Sequence, residues 1–95
     1  MKTDLIVIDE YIQHTDIEPT FIQLLEENGL IHIRQIENER FLDPDELIEV
    51  ERYARMYYDL SINIEGIDAI RHLLNRIKGL QNEMRSLRSR LRLFE

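Results

Sequence analysis

The sequence has no cysteine and no tryptophan, only 2 prolines and 3 glycines, and no apolar run longer than Leu5–Ile8. Without cysteine there are no disulfides and no thiolate chemistry, a composition that fits a reducing compartment. A run as short as Leu5–Ile8 falls far below the roughly 20 apolar residues that span a membrane. Met1-Lys2-Thr3-Asp4 also lacks the roughly 7–15-residue apolar stretch that makes a secretory signal. A cytoplasmic location is the expectation. Basic residues are scarce too: 12 Lys and Arg stand against 19 Asp and Glu, a net charge of −7. Nucleic acids and anionic membranes repel such a chain, so neither is an expected partner. The 95 residues, 43% apolar and 33% charged, suit one compact unit.

Acid and base are divided along the chain. Residues 1–63 carry 5 basic side chains against 15 acidic ones, and residues 64–95 carry 7 against 4. An acidic body with a basic tail results. No Pro/Gly/Ser-rich linker separates them, because Ser61-Ile62-Asn63 is only a turn, and no repeat is evident. The expected division is a body over residues 1–62 and a dimerisation helix over 63–95.

The pattern within the body is mainly helical. Asp9 is placed to cap a short helix reaching His14. Pro19 opens a second helix, with Phe21, Leu24 and Leu25 at helical spacing and Gly29 as its stop. Leu30-Ile31-His32-Ile33 and Arg40-Phe41-Leu42 flank Glu37-Asn38-Glu39 and predict a small β-hairpin. Asp43-Pro44-Asp45-Glu46 has the form of a capping box with Pro at the first helical position. The helix it starts presents Leu47, Val50, Ala54 and Tyr57, with Ile48 and Tyr53 one turn over, and ends near Leu60. Asn63 caps a fourth helix that runs to the C-terminus.

In that fourth helix, Ile70, Leu73, Ile77, Leu80, Met84, Leu87, Leu91 and Phe94 are spaced 3, 4, 3, 4, 3, 4, 3. Every a and d heptad position is therefore apolar, the pattern of a coiled coil. Residues 63–95 as one helix measure about 50 Å, longer than so small a body can cover. Each covered Leu or Ile is worth about 1.5–3 kcal/mol, so a second copy of the chain is the expected cover. A break at Gly79, folding the helix back on its own body, is the alternative.

The order of helix, turn, helix ending in Gly-Leu, hairpin, capped helix and long heptad helix resembles the MerR-like winged helix-turn-helix architecture. The likeness rests on Asn28-Gly29-Leu30 and on Arg40-Phe41-Leu42-Asp43-Pro44-Asp45-Glu46-Leu47. Within that superfamily the chain is most similar to chaperone modulators of the CbpM type. The shared features are Ile8-Asp9-Glu10-Tyr11-Ile12-Gln13-His14-Thr15-Asp16-Ile17 and the Leu- and Arg-rich close from Leu80 to Phe94. The resemblance implies a mainly α winged helix-turn-helix with a small hairpin wing and a long C-terminal coiled-coil helix. It also implies a regulator that binds and restrains the J-domain of a DnaJ-like co-chaperone, whose basic helix would be drawn to acid. On orientation the readings conflict. Ile at a, Leu at d and the pairs Glu83–Arg88 and Arg90–Glu95 favour a parallel dimer. The resemblance implies an antiparallel one, and the expectation follows it.

A MerR-type DNA-binding regulator is the alternative function. Such regulators bring Arg and Lys to phosphates from the second helix and the wing. Here the second helix has none: Gln23 stands at the family's basic position and Leu25 at its tyrosine. Only Lys2, Arg34 and Arg40 remain as phosphate contacts near it, too few against the surrounding acid. Arg71, Lys78, Arg85 and Arg92 recur every heptad, as expected of a solvated face.

Enzymatic chemistry finds no support in the pattern. His14, His32 and His72 lie on different elements without a second ligand at helical spacing, so no metal is expected. Ser61, Ser86 and Ser89 have no elbow or base nearby, and the isolated glycines form no phosphate cradle. No cofactor and no catalytic residue is assigned. The expected partner surface is acidic and aromatic: Glu46, Glu49, Tyr58 and Asp59 on the third helix, with Glu26 and Glu27 at its edge. The expected dimer surface is the heptad stripe.

Overall fold

The computed structural model describes residues 4–94. Lys2, counted above among the phosphate contacts, and Glu95, counted in an ion pair, lie outside the described residues. The β-branched pair Ile6–Val7 forms a short strand, β1, and leads directly into helix α1, Ile8–Gln13. The cap expected from Asp9 does not form. Val7 occupies the N-cap position without a side-chain bond, and Asp9 lies in the first turn. Strand pairing holds Val7 extended, so the helix begins before Asp9 can cap it. There its charge still meets the positive end of the helix.

Helix α2, Pro19–Glu27, begins at proline as expected. Its end is a complete Schellman turn: Leu30 N–H donates to Leu25 O at 2.9 Å and Gly29 N–H to Glu26 O at 3.0 Å. Gly29 takes φ +74°, a conformation that favours glycine. Phe21, Ile22 and Leu25 form the buried face, whereas Leu24 is only half-buried.

The hairpin starts later than its apolar residues suggest. Strands β2, Arg34–Ile36, and β3, Glu39–Leu42, pair antiparallel with Arg34 opposite Phe41. Leu30 and Ile31 precede the strand and are both buried. Consecutive residues of a strand face opposite sides, so two adjacent core residues cannot both serve a strand with one face in solvent. They fill the core from a loop instead. The sheet also has a third strand, since β1 pairs with β3 with Ile6 opposite Leu42.

Helix α3, Pro44–Ala54, has Asp43 at its N-cap, but the expected capping box is replaced by tertiary bonds. Asp43 Oδ1 accepts from Arg34 Nη1 at 2.9 Å, and Glu46 Oε1 accepts from the His32 N–H at 2.9 Å. These bonds hold hairpin and post-α2 loop against α3. Val50 and Tyr53 are buried, while Ile48, placed on the inner face from sequence, is 57% exposed. A π-helical turn, Arg55–Asp59, continues α3 and closes with Leu60 N–H on Arg55 O at 3.2 Å and Ile62 N–H on Met56 O at 3.0 Å.

Helix α4, Ile64–Arg92, runs unbroken through Gly79. Asn63 caps it, its Oδ1 accepting from Gly66 N–H at 2.7 Å. Ile64 and Ile67 belong to the same core as Ile8, Phe21, Leu42 and Val50, so the core extends across the 62/63 division. Beyond Arg71 every residue of the helix is exposed, and the molecule measures 58 × 36 × 21 Å.

Candidate interaction surfaces

Between Asp4 and Ile33 there is no Lys or Arg. The outward face of α2 carries Gln23, Glu26 and Glu27, with Glu27 accepting from Gln23 Nε2 at 3.0 Å. Of the two hairpin arginines, Arg34 is committed to Asp43 and Arg40 is exposed. The region that a helix-turn-helix would turn towards DNA thus presents acid and one free hairpin arginine among the described residues.

Helix α3 is tied to both sides of α2: Glu46 bonds His32, in the loop that follows α2, and Tyr58 bonds Glu18, the residue before its start. The Tyr58 hydroxyl accepts from Glu18 N–H at 3.1 Å and lies 3.4 Å from Glu18 Oε1. Sequence spacing puts Tyr58 on a different face from Tyr57. In the structure both rings pack on Phe21, at centroid distances of 4.7 and 5.3 Å. The π turn is wider than an α turn, and it sets both tyrosines against α2. Such turns recur at functional sites; nothing in the sequence signals this one.

The six residues expected to meet a partner do not form one cluster. Glu46 and Glu49 sit one turn apart on α3, with Glu49 3.8 Å from Arg52. Tyr58 and Asp59 lie at the other end, roughly 20 Å along the helix from Glu46. Glu26 and Glu27 lie in the last turn of α2, a different element. Tyrosine ionisation is disfavoured around this surface. Tyr53 and Tyr11 are pushed above the ordinary tyrosine value, first by burial and then by Glu49 and Glu51 respectively. Tyr58 is raised as well, by partial burial, against the opposing bond from Glu18 N–H.

The stripe on α4 stands in the open. Ile70 is half-buried by the body, but Leu73, Ile77, Leu80, Met84, Leu87, Leu91 and Phe94 are between 48% and 86% exposed. An apolar face of this length left bare is uncommon on a lone chain. Beside it, a groove of about 460 Å³ runs between α3 and α4, lined by Tyr53, Met56, Leu74, Ile77, Lys78 and Gln81 among others. Arg71 also lines it, its Nη2 donating to Asp68 Oδ1 at 2.9 Å. Sequence spacing gives the stripe but not the groove, which needs the angle between the two helices.

Among the described residues no three His, Asp or Glu side chains gather in a way that could hold a metal ion. His14 Nδ1 donates to Glu10 O at 2.8 Å and His72 Nδ1 to Asp68 O at 2.9 Å, each within its own helix. No helix among the described residues is long and apolar enough to cross a membrane.

A short helix, a turn, a second helix closed by Gly-Leu, a small antiparallel sheet and a long exposed helix are consistent with a helix-turn-helix protein. The chain belongs to the MerR HTH family of regulatory proteins, whose family model matches residues 6–89. Comparison with curated proteins and with solved structures finds no match.

Proposed function

We propose that this chain is a non-enzymatic regulator that binds another protein, and that it is a chaperone modulator of the CbpM type. In this reading the body is a winged helix-turn-helix with β2–β3 as its wing, and α4 forms a coiled coil in a homodimer. The target is the J-domain of a DnaJ-like co-chaperone. The observation that carries the reading is the absence of Lys and Arg from Asp4 to Ile33, on a fold whose second helix would otherwise face DNA. Acid at Glu26, Glu27, Glu46, Glu49 and Asp59, with the Tyr58 ring, would meet the basic helix of the J-domain. Covering that helix would deny it to the Hsp70 partner, with no covalent step. Attraction between opposite surfaces speeds association at low salt and weakens as salt screens it.

The competing reading is a MerR-type DNA-binding regulator, favoured by membership of the family and by the base-rich α4. Capture of partners from cytoplasm, together with an anisotropy titration against genomic fragments at physiological salt, separates the two. A retained J-domain protein with no sequence-selective DNA binding supports the proposal. Sequence-selective DNA binding with no J-domain protein retained supports the competitor. Charge reversal at Glu46, Glu49 and Asp59 that leaves J-domain binding unchanged would remove this surface but not the partner.

A further inference from the structure

The groove between α3 and α4 reverses the charge of the body around it. Residues 1–63 carry 15 acidic side chains against 5 basic ones. Yet three cations, Arg52, Arg71 and Lys78, line this groove against a single lining acid, Glu49. They come from both walls, Arg52 from α3 and the other two from α4, where they stand one heptad apart, roughly 10 Å. We infer that the groove is a binding site for a small organic carboxylate with an apolar body. The inference rests on neither the partner protein nor the homodimer proposed above.

The cations hold bonding capacity that the chain leaves unused. Arg52 stands 3.8 Å from Glu49, near enough for attraction between charges and too far for a hydrogen bond. Lys78 has no ion-pair partner among the described residues. Arg71 gives its Nη2 to Asp68, but its Nε is buried without a hydrogen-bond partner. Buried donors are nearly always paired, so a bare one on a residue that lines a groove calls for an acceptor. Tyr53, next to Arg52 in the chain, keeps its hydroxyl proton because burial and then Glu49 disfavour ionisation, and so remains a donor. Among the charged lining residues donors outnumber the one acceptor. That selects an anion.

The remaining lining decides what the anion is attached to. Met56, Leu74 and Ile77 line the same groove, and Leu74 and Ile77 are exposed, so an apolar body laid against them removes surface from water. The volume, about 460 Å³, falls within the roughly 300–1,000 Å³ of small-molecule sites. A guanidinium offers a planar fork that matches a carboxylate in two parallel bonds. Phosphate shares that geometry, and the charge count separates the two. With Asp68, which holds Arg71, the site has three positive charges against two negative ones. One added negative charge balances it, and a phosphate dianion overshoots.

Octanoate is the probe, a carboxylate on a plain alkyl chain, and acetate and octanol each keep one half of it. Each is titrated into the isotope-labelled full chain and followed by amide NMR shifts. Octanoate should bind at least roughly tenfold more tightly than either control, because only it satisfies both the cations and the apolar lining. Its shifts should centre on Tyr53, Met56, Leu74 and Lys78. Arg52→Gln and Lys78→Gln change exposed positions and spare the fold, and each should weaken octanoate roughly tenfold. The bare stripe of α4 is the competing seat for an alkyl chain. Shifts spread from Leu80 to Leu91 instead, octanol binding as tightly as octanoate, or binding unchanged in both variants would each overturn the site. So would the lack of any saturable shift at millimolar octanoate. Octyl phosphate binding more tightly than octanoate would overturn the choice of a carboxylate.

Discussion

Asn63 caps α4 with one side-chain bond, its Oδ1 accepting from the Gly66 N–H. Replacing an N-cap of this type with alanine leaves one helix donor unsatisfied. Asn63→Ala should therefore cost about 1 kcal/mol, seen as a fall of roughly 4–8 °C in Tm for a domain of this size. Thermal unfolding by circular dichroism measures it. The cap was legible because Asn63 precedes a helix with nothing else to bond. Asp43 looked equally clear from sequence, yet Arg34 claims its carboxylate, and a partner distant in sequence is not visible in local spacing. Tyrosines give a second residue-scale expectation. Tyr11, Tyr53 and Tyr58 all hold their protons above the ordinary value. The unfolded chain ionises these groups near pH 10 while the folded chain resists. Their contribution is thus complete below about pH 10 and is lost as pH rises through the folded values. Urea midpoints measured at pH 8 and pH 11 should show the fall, and it should be smaller in a Tyr53→Phe chain.

Helix α4 divides into two regimes along its length. Ile67 is fully buried in the core, and truncation to Ile67→Ala should cost about 2–5 kcal/mol through lost burial and the cavity left behind. Leu87, 60% exposed, makes no such contact in the single chain. Leu87→Ala should leave the monomer's stability within about 0.5 kcal/mol, so any larger loss measured at high protein concentration reports association. The heptad rhythm of α4 is a property of its own sequence and could be read directly. The hairpin was harder. Leu30 and Ile31 look like strand residues by composition, but they are core residues in a loop, and the strand proper begins at the polar Arg34. Strand β1 escaped notice because two residues carry no alternation to read, and only pairing with β3 defines them. The π turn of α3 likewise leaves no trace in spacing, so the seating of Tyr58 on Phe21 emerged only in three dimensions.

The whole molecule sets an acidic body on a base-rich, apolar-striped helix that stands away from it. In the proposed homodimer, a charge placed in the stripe should separate the copies while sparing each fold. Leu80→Glu should shift the chain to monomer in sedimentation equilibrium with its helical content per folded chain retained, since Leu80 touches no core residue of its own copy. If the acidic body is the partner surface, the outcome that matters most is what the chain does to a J-domain protein at work. The most direct measurement is steady-state ATP hydrolysis by the host Hsp70, stimulated by a fixed amount of its J-domain co-chaperone, while this protein is titrated in. Stimulation should fall in proportion to the amount added, approach the unstimulated rate near one chain per J-domain, and recover as salt is raised. Stimulation that stays unchanged at several-fold excess and low salt would contradict the proposed function.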